Sequence, residues 1–503
     1  MIYYAVLAAV CGLSFILKTP YFNLPLDRDY GGHGYVAYCW LKGKGMPYRD
    51  VLESKTPGLK IVYMMIIQWF GMNRKAFHLF FALYNILTTI AVYAVGAILF
   101  TPTAGLVAAA LYALYSSVPS LWWHFSNIEC YYVLPMVMSF FFLACGGFGG
   151  STASTLTYVA CAGLFGGITF MFKQPSLINT VGPALIFLIL YSPVSIILAL
   201  LAYGAAFLIP VLAFIVYFVI IHKTPWTKTP FGAVILGITK RYLTNPLFKA
   251  NRATIESNRR RFRTILYDLS MIGLWGCAGA IAILTKGNTT ATMLVLWAAC
   301  AVLAGIMSRT YLAYHFIPTV PPLCILSGMA IAATASSLFS RRHFSISPAE
   351  AAAIAALVVP LCFFLYQLIK DLLLPRELMG IFYSGEDQLY ALTEEVGKYI
   401  KANTNENDYV YEWGQEPGIY FWSERRAPTW SIYPPIGNPA VFTKEHVDTE
   451  FGQLLAHLPK YFVLNSPFGD YKQFEQVIIH NYILEKRFDP YFYLFKLKQQ
   501  SQH

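Results

Sequence analysis

Two aspartates, Asp27 and Asp29, stand in a short polar stretch that follows a very apolar N-terminus. A carboxylate can take a proton from a hydroxyl group, which is the task of a general base in group transfer. At a bilayer surface, partial desolvation can raise the pKa of a carboxylate towards a useful range. The pair therefore predicts transfer chemistry at the membrane surface, with Asp29 as the base and Asp27 as the alternative or a partner.

Both aspartates also have an ordinary structural interpretation. Asp29 precedes residues 34–41, which have the character of an amphipathic helix, so its side chain could be the N-cap of that helix. Asp27 follows Pro25 and Leu26 and could be a turn residue. The sequence leaves these interpretations open beside the catalytic one.

Basic residues along the chain are candidates for binding a phosphate group, because fixed cations stabilise the negative charge on a departing phosphate. The candidates are Arg49, Lys55, Lys173, Arg309 and His315. Lys173 is the most informative, since no other Lys or Arg occurs between Pro102 and Ile221. Its alternative is a side chain that extends to the lipid headgroups.

Glu129 is the other charged residue between Pro102 and Ile221. It could bind the acceptor, or it could hold a divalent cation together with Asp27 or Asp29, since oxygen ligands suit Mg²⁺ and Mn²⁺. Its ordinary role would be to cap the fourth membrane span. No cofactor is required by the sequence, and a Mg²⁺ or Mn²⁺ ion is an option.

The composition of the chain indicates which kind of fold holds these residues in place. Of 503 residues, 57% are hydrophobic and 13% are charged, whereas soluble proteins carry about 25% charged residues. Residues 385–503 resemble an ordinary water-soluble sequence. We therefore predict a polytopic α-helical membrane domain over residues 1–384, with an outer loop at 20–75, and a small C-terminal α/β domain over 385–503. The net charge of +11 is attributed to contact with lipid headgroups and not to nucleic acid.

A membrane-spanning helix needs about 20 apolar residues. About eleven spans are predicted, at residues 2–19, 76–99, 102–120, 131–148, 155–172, 176–192, 194–221, 264–285, 289–307, 316–338 and 350–371. Residues 59–70 are too few to span and are predicted to form a helix in the membrane interface. An odd number of spans puts the N-terminus and the C-terminal domain on opposite sides.

With the N-terminus in the cytoplasm, the polar loops and the C-terminal domain face outwards. The arginine-rich loop at 222–263 then also lies outside, against the usual bias towards basic residues on the inner side. Either this topology is inverted, or these cations are retained because they hold anionic lipid. We favour the second interpretation.

The first loop contains three motifs in order: Asp27-Arg28-Asp29, then Gly43-Lys-Gly-Met-Pro-Tyr-Arg-Asp50, then Lys55-Thr-Pro-Gly58. This order resembles the first outer loop of GT-C glycosyltransferases. It is most similar to the family-39-like branch, which includes bacterial lipopolysaccharide sugar transferases and protein mannosyltransferases. Shorter matches follow at residues 126–129, 172–175, 309–316 and 409–420. Many members have Asp-Glu where this chain has Asp29-Tyr30, so a role for that second acid does not transfer.

The resemblance implies a hexosyl- or pentosyltransferase whose donor is a sugar linked to a polyprenyl phosphate. It implies transfer to a glycolipid, polysaccharide or protein acceptor on the outer face of the plasma (inner) membrane, within the cell envelope. The C-terminal domain would bind the acceptor or cover the site. The alternatives are a lipid or polysaccharide transporter or flippase, or an inactive scaffold of a polysaccharide assembly complex.

Overall fold

The computed structural model of the chain describes residues 1–117, 121, 123, 127–147, 150–235, 252–307, 311–339, 387–435 and 444–499, with seven single positions between 355 and 369. The chain divides into two compact units. Unit 1 comprises Met1–Phe22, His78–Ile215 and Asn251–Met379, and unit 2 comprises Asn23–Phe77, Val216–Ala250 and Gly380–His503. Unit 2 thus groups most of the first loop with the C-terminal segment. The domain boundary at residue 384 stays a prediction.

Long apolar runs form most of the helices before residue 340. In chain order they are α1 (Ile2–Ile16), α2 (Arg28–Leu41), α3 (Gly58–Phe70), α4 (Arg74–Leu99), α5 (Pro102–Tyr115), α6 (Ile128–Gly146), α7 (Thr152–Phe170), α8 (Gly182–Tyr191), α9 (Ile196–Phe214), α10 (Pro230–Ile235), α11 (Arg252–Asp268), α12 (Ser270–Lys286), α13 (Thr289–Met307) and α14 (Val320–Phe339). Of these, α2, α3 and α10 lie in unit 2.

Six helices in the described residues are long and apolar enough to cross a membrane, or seven if the pair Glu256–Asp268 and Ser270–Lys286, bent by 64°, is one span. Shorter apolar helices are Gly58–Phe70, Pro102–Tyr115, Leu177–Tyr191 and Ala291–Met307. Ten predicted spans coincide with apolar helices, and the last, 350–371, lies outside the described residues except for single positions. The chain is a polytopic α-helical membrane protein, as predicted.

Of two short apolar helices, one is shorter than predicted and the other has the predicted length. The span predicted at 102–120 is a 14-residue helix that ends at Tyr115. Ser116 and Ser117 follow it, and their hydroxyls donate to the carbonyl of Ala113. These polar side chains end the apolar run. By contrast, Gly58–Phe70 is as short as predicted. Its 13 residues extend about 20 Å, less than the roughly 30 Å of the hydrocarbon layer.

In unit 1, small residues let apolar helices approach closely. A Cβ atom at Gly163 on α7 would lie 2.1 Å from the carbonyl oxygen of Tyr203 on α9. Any larger residue there would force the two helices apart. Without a hydrophobic driving force between helices in lipid, such close packing is a main source of association.

Unit 2 contains a four-stranded sheet: β1 (Val410–Trp413), β2 (Tyr461–Leu464), β3 (Tyr482–Phe488) and β4 (Phe492–Leu497), in the order β1-β2-β4-β3. β1 and β2 are parallel, and the other pairs are antiparallel. Helices α15 (Asp387–Ala402), α16 (Gly418–Ser423), α17 (Lys444–Ala456) and α18 (Lys472–Asn481) complete the segment. The predicted small C-terminal α/β layer is confirmed.

Aromatic residues form the core of this α/β segment. Trp413, Phe462 and Phe474 are fully buried together with Leu454. The apolar or alternating sequences at 408–413, 460–464 and 491–498 predict strands, and β1, β2 and β4 coincide with them. β3 was missed, because most of its side chains are polar or exposed.

Glu450 on α17 is a buried acid in this segment, with 4% of its surface exposed. Burial raises its pKa to about 8, although the Tyr411 hydroxyl, which donates to its Oε1 at 2.8 Å, partly offsets that rise. The ordinary pKa of a glutamate is about 4.3. Between these two values the folded chain therefore binds more protons than the unfolded chain, so the free energy of unfolding falls as pH rises.

We expect the opening free energy of β1 and β2 to fall by about 2–3 kcal/mol between about pH 6 and pH 8, since each pKa unit is worth about 1.4 kcal/mol. Hydrogen exchange of these strands in the whole protein, corrected for intrinsic rates, measures it. Glu450→Gln keeps an acceptor for Tyr411 and should remove this contribution. An equal pH dependence in wild type and variant would contradict the assignment.

Candidate active site

Helix α2 begins six residues earlier than the sequence predicted, and its N-cap is Asp27. The Asp27 carboxylate accepts a hydrogen bond from the Tyr30 backbone N–H at 2.8 Å. Asp29 lies in the first turn and is exposed. The interpretation of Asp29 as the cap of a helix over 34–41 is therefore wrong, and so is that of Asp27 as a plain turn residue.

The two aspartates have different surroundings. Burial, and then the charge of Asp29, raise the pKa of Asp27 well above its ordinary value, despite the opposing bond from Tyr30. Asp29, by contrast, is an exposed carboxylate near the positive end of the α2 dipole, where an acid is stabilised. Asp29 is thus the better exposed of the two to a reacting group.

Arg28, between the aspartates, points to the C-terminal segment. Its Nε and Nη2 donate to Glu416 Oε1 at 2.9 and 2.7 Å, and Glu416 is almost fully buried. The packing beside this ion pair is equally close, because a Cβ atom at Gly31 would lie 2.4 Å from the Cα of Gly418. Only glycine at position 31 lets the backbones of α2 and α16 approach in this way.

Glu53 is a buried carboxylate in the same loop that contacts Lys60, His33 and Lys55; this group is called the Glu53 hub. Its Oε2 lies 2.7 Å from Lys60 Nζ and 3.3 Å from His33 Nδ1, and its Oε1 accepts the backbone N–H of Lys55 at 2.7 Å. Although burial alone would raise it, the pKa of Glu53 is held well below its ordinary value by Lys60 and His33. The carboxylate therefore stays ionised and fixes the backbone at Lys55, a predicted phosphate contact.

Arg49, the other predicted phosphate contact in this loop, is exposed and pairs with its neighbour. Its Nε and Nη2 donate to the two oxygens of Asp50 at 2.9 and 2.8 Å, and its Nη1 donates to the carbonyl of His222 at 3.3 Å. Its guanidinium is therefore shared with an acid in this structure, and phosphate binding would need it to leave or share that partner.

In unit 1, the two isolated charges that the sequence singled out form an ion pair. Lys173 donates to Oε1 of Glu129, which opens α6 and is 2% exposed. Lys173 Nζ also lies 5.6 Å from the centre of the Tyr314 ring, a distance suited to a cation–π contact. The ring of His315 packs edge-on against Tyr314, with centroids 4.6 Å apart. The structure thus brings Glu129, Lys173, Tyr314 and His315 together.

Arg309, also predicted to bind phosphate, lies outside the described residues. Within the part of the chain that the structure describes, no three His, Cys, Asp or Glu side chains are gathered so that they could hold a metal ion. Participation of a Mg²⁺ or Mn²⁺ ion stays an option that the sequence raises.

If Lys173 holds the phosphate of a polyprenyl-phosphate donor, we expect Lys173→Ala to weaken binding of that lipid by about 1.5–3 kcal/mol, the value of a charge-assisted contact. The change also leaves the Glu129 carboxylate buried without its cation, which destabilises the fold. Glu129→Gln/Lys173→Ala removes that second effect. Weak binding of the lipid by a stable double variant would support a phosphate contact, and wild-type affinity would mean that Lys173 serves only Glu129.

Several polar residues with well-defined partners were not singled out from the sequence. Lys60 is the one charged residue of Gly58–Phe70. A single charge in an apolar helix is visible in the sequence and indicates a residue with a specific partner. Lys18, 3% exposed, donates to the hydroxyls of Ser116 and Ser117 at 3.1 and 3.0 Å and so ties the end of α1 to the end of α5. A buried lysine beside an apolar span is expensive and was an available signal as well.

Comparisons with known proteins agree with this architecture. Residues 391–498 match the family described as "Putative competence-induced protein Ccs4 C-terminal domain". No curated protein matches the chain. The crystal structure of ArnT from Cupriavidus metallidurans bound to undecaprenyl phosphate is similar, with a TM-score of 0.61 and 14% identity, over 98% of this chain and 97% of that chain.

The apo form of the same ArnT has a TM-score of 0.59 at 12% identity, over 98% of each chain. The apo oligosaccharyltransferase of Archaeoglobus fulgidus has a TM-score of 0.51 at 13% identity, over 99% of this chain and 74% of that chain. At such identities the likeness establishes the fold alone. The predicted GT-C-like fold is confirmed, and membership of the family-39-like branch stays a prediction.

Proposed function

We propose that this chain is a GT-C-type membrane glycosyltransferase that moves a hexose or pentose from a polyprenyl-phosphate donor to a glycolipid, polysaccharide or protein acceptor. The observation that carries the proposal is likeness in fold along nearly the whole of both chains to ArnT, whose crystal structure holds undecaprenyl phosphate. The exposed carboxylate of Asp29 in the first turn of α2 supports it, because the transfer requires a base.

In the proposed reaction, Asp29 takes the proton of an acceptor hydroxyl. The hydroxyl oxygen then bonds to the anomeric carbon of the sugar, the bond between that carbon and the phosphate oxygen breaks, and the phosphate leaves with the electron pair. Cations stabilise the charge that builds up on the phosphate. We assign this role to Lys55, Lys173 and His315, with Arg49 and Arg309 as further candidates.

Sugar transfer by the purified protein in proteoliposomes tests the proposal. The donors are undecaprenyl phosphates carrying mannose, glucose, galactose or arabinose, and the acceptor is an envelope extract from the source organism. Mass spectrometry should detect released undecaprenyl phosphate together with a glycosylated acceptor. Movement of the intact donor across the bilayer without transfer would favour a flippase, and neither result would favour a scaffold.

We further propose that the protein lies in the plasma (inner) membrane with its site and C-terminal segment outside. On intact cells, a membrane-impermeant thiol reagent should label Asn407→Cys and leave Thr152→Cys unlabelled, relative to a parent that lacks the native exposed cysteines. Both positions are exposed in the structure. The reverse pattern of labelling would invert the topology, and it would agree with the arginine-rich loop lying inside.

A further inference from the structure

His33 lies one helical turn after Asp29 on α2, and residues four apart project from the same helix face with Cβ atoms about 5–6 Å apart. The His33 side chain is 18% exposed, so it is partly accessible to solvent. We propose that His33 receives the proton that Asp29 removes from the acceptor, and that Glu53 is a positioning residue that fixes the imidazole for this task. The inference rests on the proposed function.

The hydrogen bond to Glu53 determines which ring nitrogen carries the proton. His33 Nδ1 lies 3.3 Å from Glu53 Oε2, and an ionised carboxylate can only accept. The neutral ring must therefore carry its proton on Nδ1, which leaves the lone pair on Nε2. Within the described residues, the Glu53 contact is the one hydrogen bond of this ring, so Nε2 is left to accept a proton.

Lys60 keeps Glu53 in the required state. Its Nζ lies 2.7 Å from the same Oε2, and both side chains are buried, Lys60 at 1% exposed and Glu53 at 6%. The cation holds the pKa of Glu53 low despite burial, so the carboxylate does not take the proton from Nδ1 at neutral pH. Lys60, the one charged residue of α3, thus serves to keep Glu53 ionised.

The titratable groups around Asp29, His33 and Glu53 come from several segments. Asp29 is on its own helix, Glu53 is in the loop, and Lys60 is on α3. From the C-terminal segment comes Tyr433, whose hydroxyl would lie 2.5 Å from a Cβ atom at Gly32. Burial and the charges of Asp29 and Glu53 raise the pKa of Tyr433 well above its ordinary value, so it stays neutral.

Asp29, His33 and water together account for the proton that the acceptor loses. The acceptor proton passes to the Asp29 carboxylate and then to His33 Nε2, which gives an imidazolium whose Nδ1–H still donates to Glu53. Asp29 is again an anion for the next acceptor, and the imidazolium loses its proton to water once product leaves. Histidine is the side chain that enzymes use most often to accept or donate a proton, and its place one turn after Asp29 suits it to this step.

The test is turnover of His33→Ala in proteoliposomes with the sugar-loaded undecaprenyl phosphate that the wild-type protein uses. We expect kcat to fall by about 10-fold to 100-fold with an unchanged KM for the donor, as part of the range for acid–base catalysis. Imidazole added at millimolar concentration should restore a large part of the loss. It should restore nothing in Asp29→Asn, which lacks the carboxylate that delivers the proton.

His480→Ala is the matched control. This histidine is exposed, and its Nδ1 lies 2.8 Å from the carbonyl of Gln476, so its ring carries the same tautomer away from α2. The control should show wild-type turnover and no response to imidazole. Wild-type kcat in His33→Ala, or a loss that imidazole does not restore, would overturn the proposal.

Failure of the proposed function is detected separately. If the wild-type protein transfers sugar from no donor in the panel, the proposed reaction fails, and the His33–Glu53 pairing is judged by carbethoxylation with diethyl pyrocarbonate, mapped by mass spectrometry. Glu53→Gln can donate as well as accept, so it no longer fixes the tautomer of the ring. A several-fold change at His33 with none at His480 would support the pairing, and equal rates at His33 in both proteins would overturn it.

Discussion

Asp29→Asn is expected to lower turnover by about 10²–10⁴-fold, the usual contribution of a general base, while binding of undecaprenyl phosphate survives. Asparagine keeps the size and polarity of the side chain but has no basic oxygen. The exposed position of Asp29 in the first turn of α2 means that the change breaks no packing. Steady-state turnover and lipid binding, measured on the same preparation, separate the two effects.

Asp27→Asn is the matched control, because Asn caps a helix nearly as well as Asp. It removes a carboxyl two residues away and keeps the bond to the Tyr30 N–H, so turnover should stay within a few-fold of wild type. A folded Asp29→Asn protein with near-wild-type turnover would remove Asp29 from the mechanism. Asp27 would then be the next candidate, followed by Glu129.

Lys60→Met is expected to destabilise α2 and α3 by about 3–5 kcal/mol, the typical cost of leaving a buried charge without its partner. The charge left behind is the carboxylate of Glu53, which is 6% exposed. Methionine fills the space of the lysine stem, so the loss of charge dominates. Hydrogen exchange of α2 and α3 in the whole protein gives the change in opening free energy.

The double variant Glu53→Gln/Lys60→Met should recover more than half of that loss, since no charge is left buried. The amide oxygen can still accept from the Lys55 backbone, and the amide nitrogen can donate to the His33 ring in its other tautomer. Lys472 and Glu475 provide a surface comparison, with side chains 72% and 37% exposed. Lys472→Met should change stability by less than about 1 kcal/mol. Equal effects at the buried and exposed pairs would mean that the Glu53 hub contributes no more than a surface pair.

Most of the membrane helices could be predicted from the sequence because a long apolar run has few alternatives in a chain of this composition. The Lys173–Glu129 pair illustrates what was missed. Both residues were recognised as isolated charges in an apolar segment, yet each was assigned a separate ligand. Two opposite charges that share a low-dielectric region are strongly driven to pair, so the contact itself was within reach of the sequence.

The beginning of α2 could not be predicted in the same way. Either aspartate is a good N-cap, and Gly31, Gly32 and Gly34 argue locally against a helix. The glycines are accepted because the C-terminal segment approaches the helix there, with Gly418 opposite Gly31 and Phe421 opposite Gly34. Their partners are hundreds of residues away in sequence, so no local pattern reveals them. The Glu53 hub escaped notice for a related reason, since its members are spread over three segments.

The contact between α2 and α16 also has a consequence for biosynthesis. Arg28 is translated 388 residues before Glu416, its partner in the ion pair. A ribosome adds about 5–20 residues per second, so Arg28 waits roughly 20–80 s for that partner to be made. A chain released early can retain its apolar helices and still lack the surface on which α2 packs. A segment that is translated late therefore supplies the surface against which α2 packs, and these contacts can form only after it has been made.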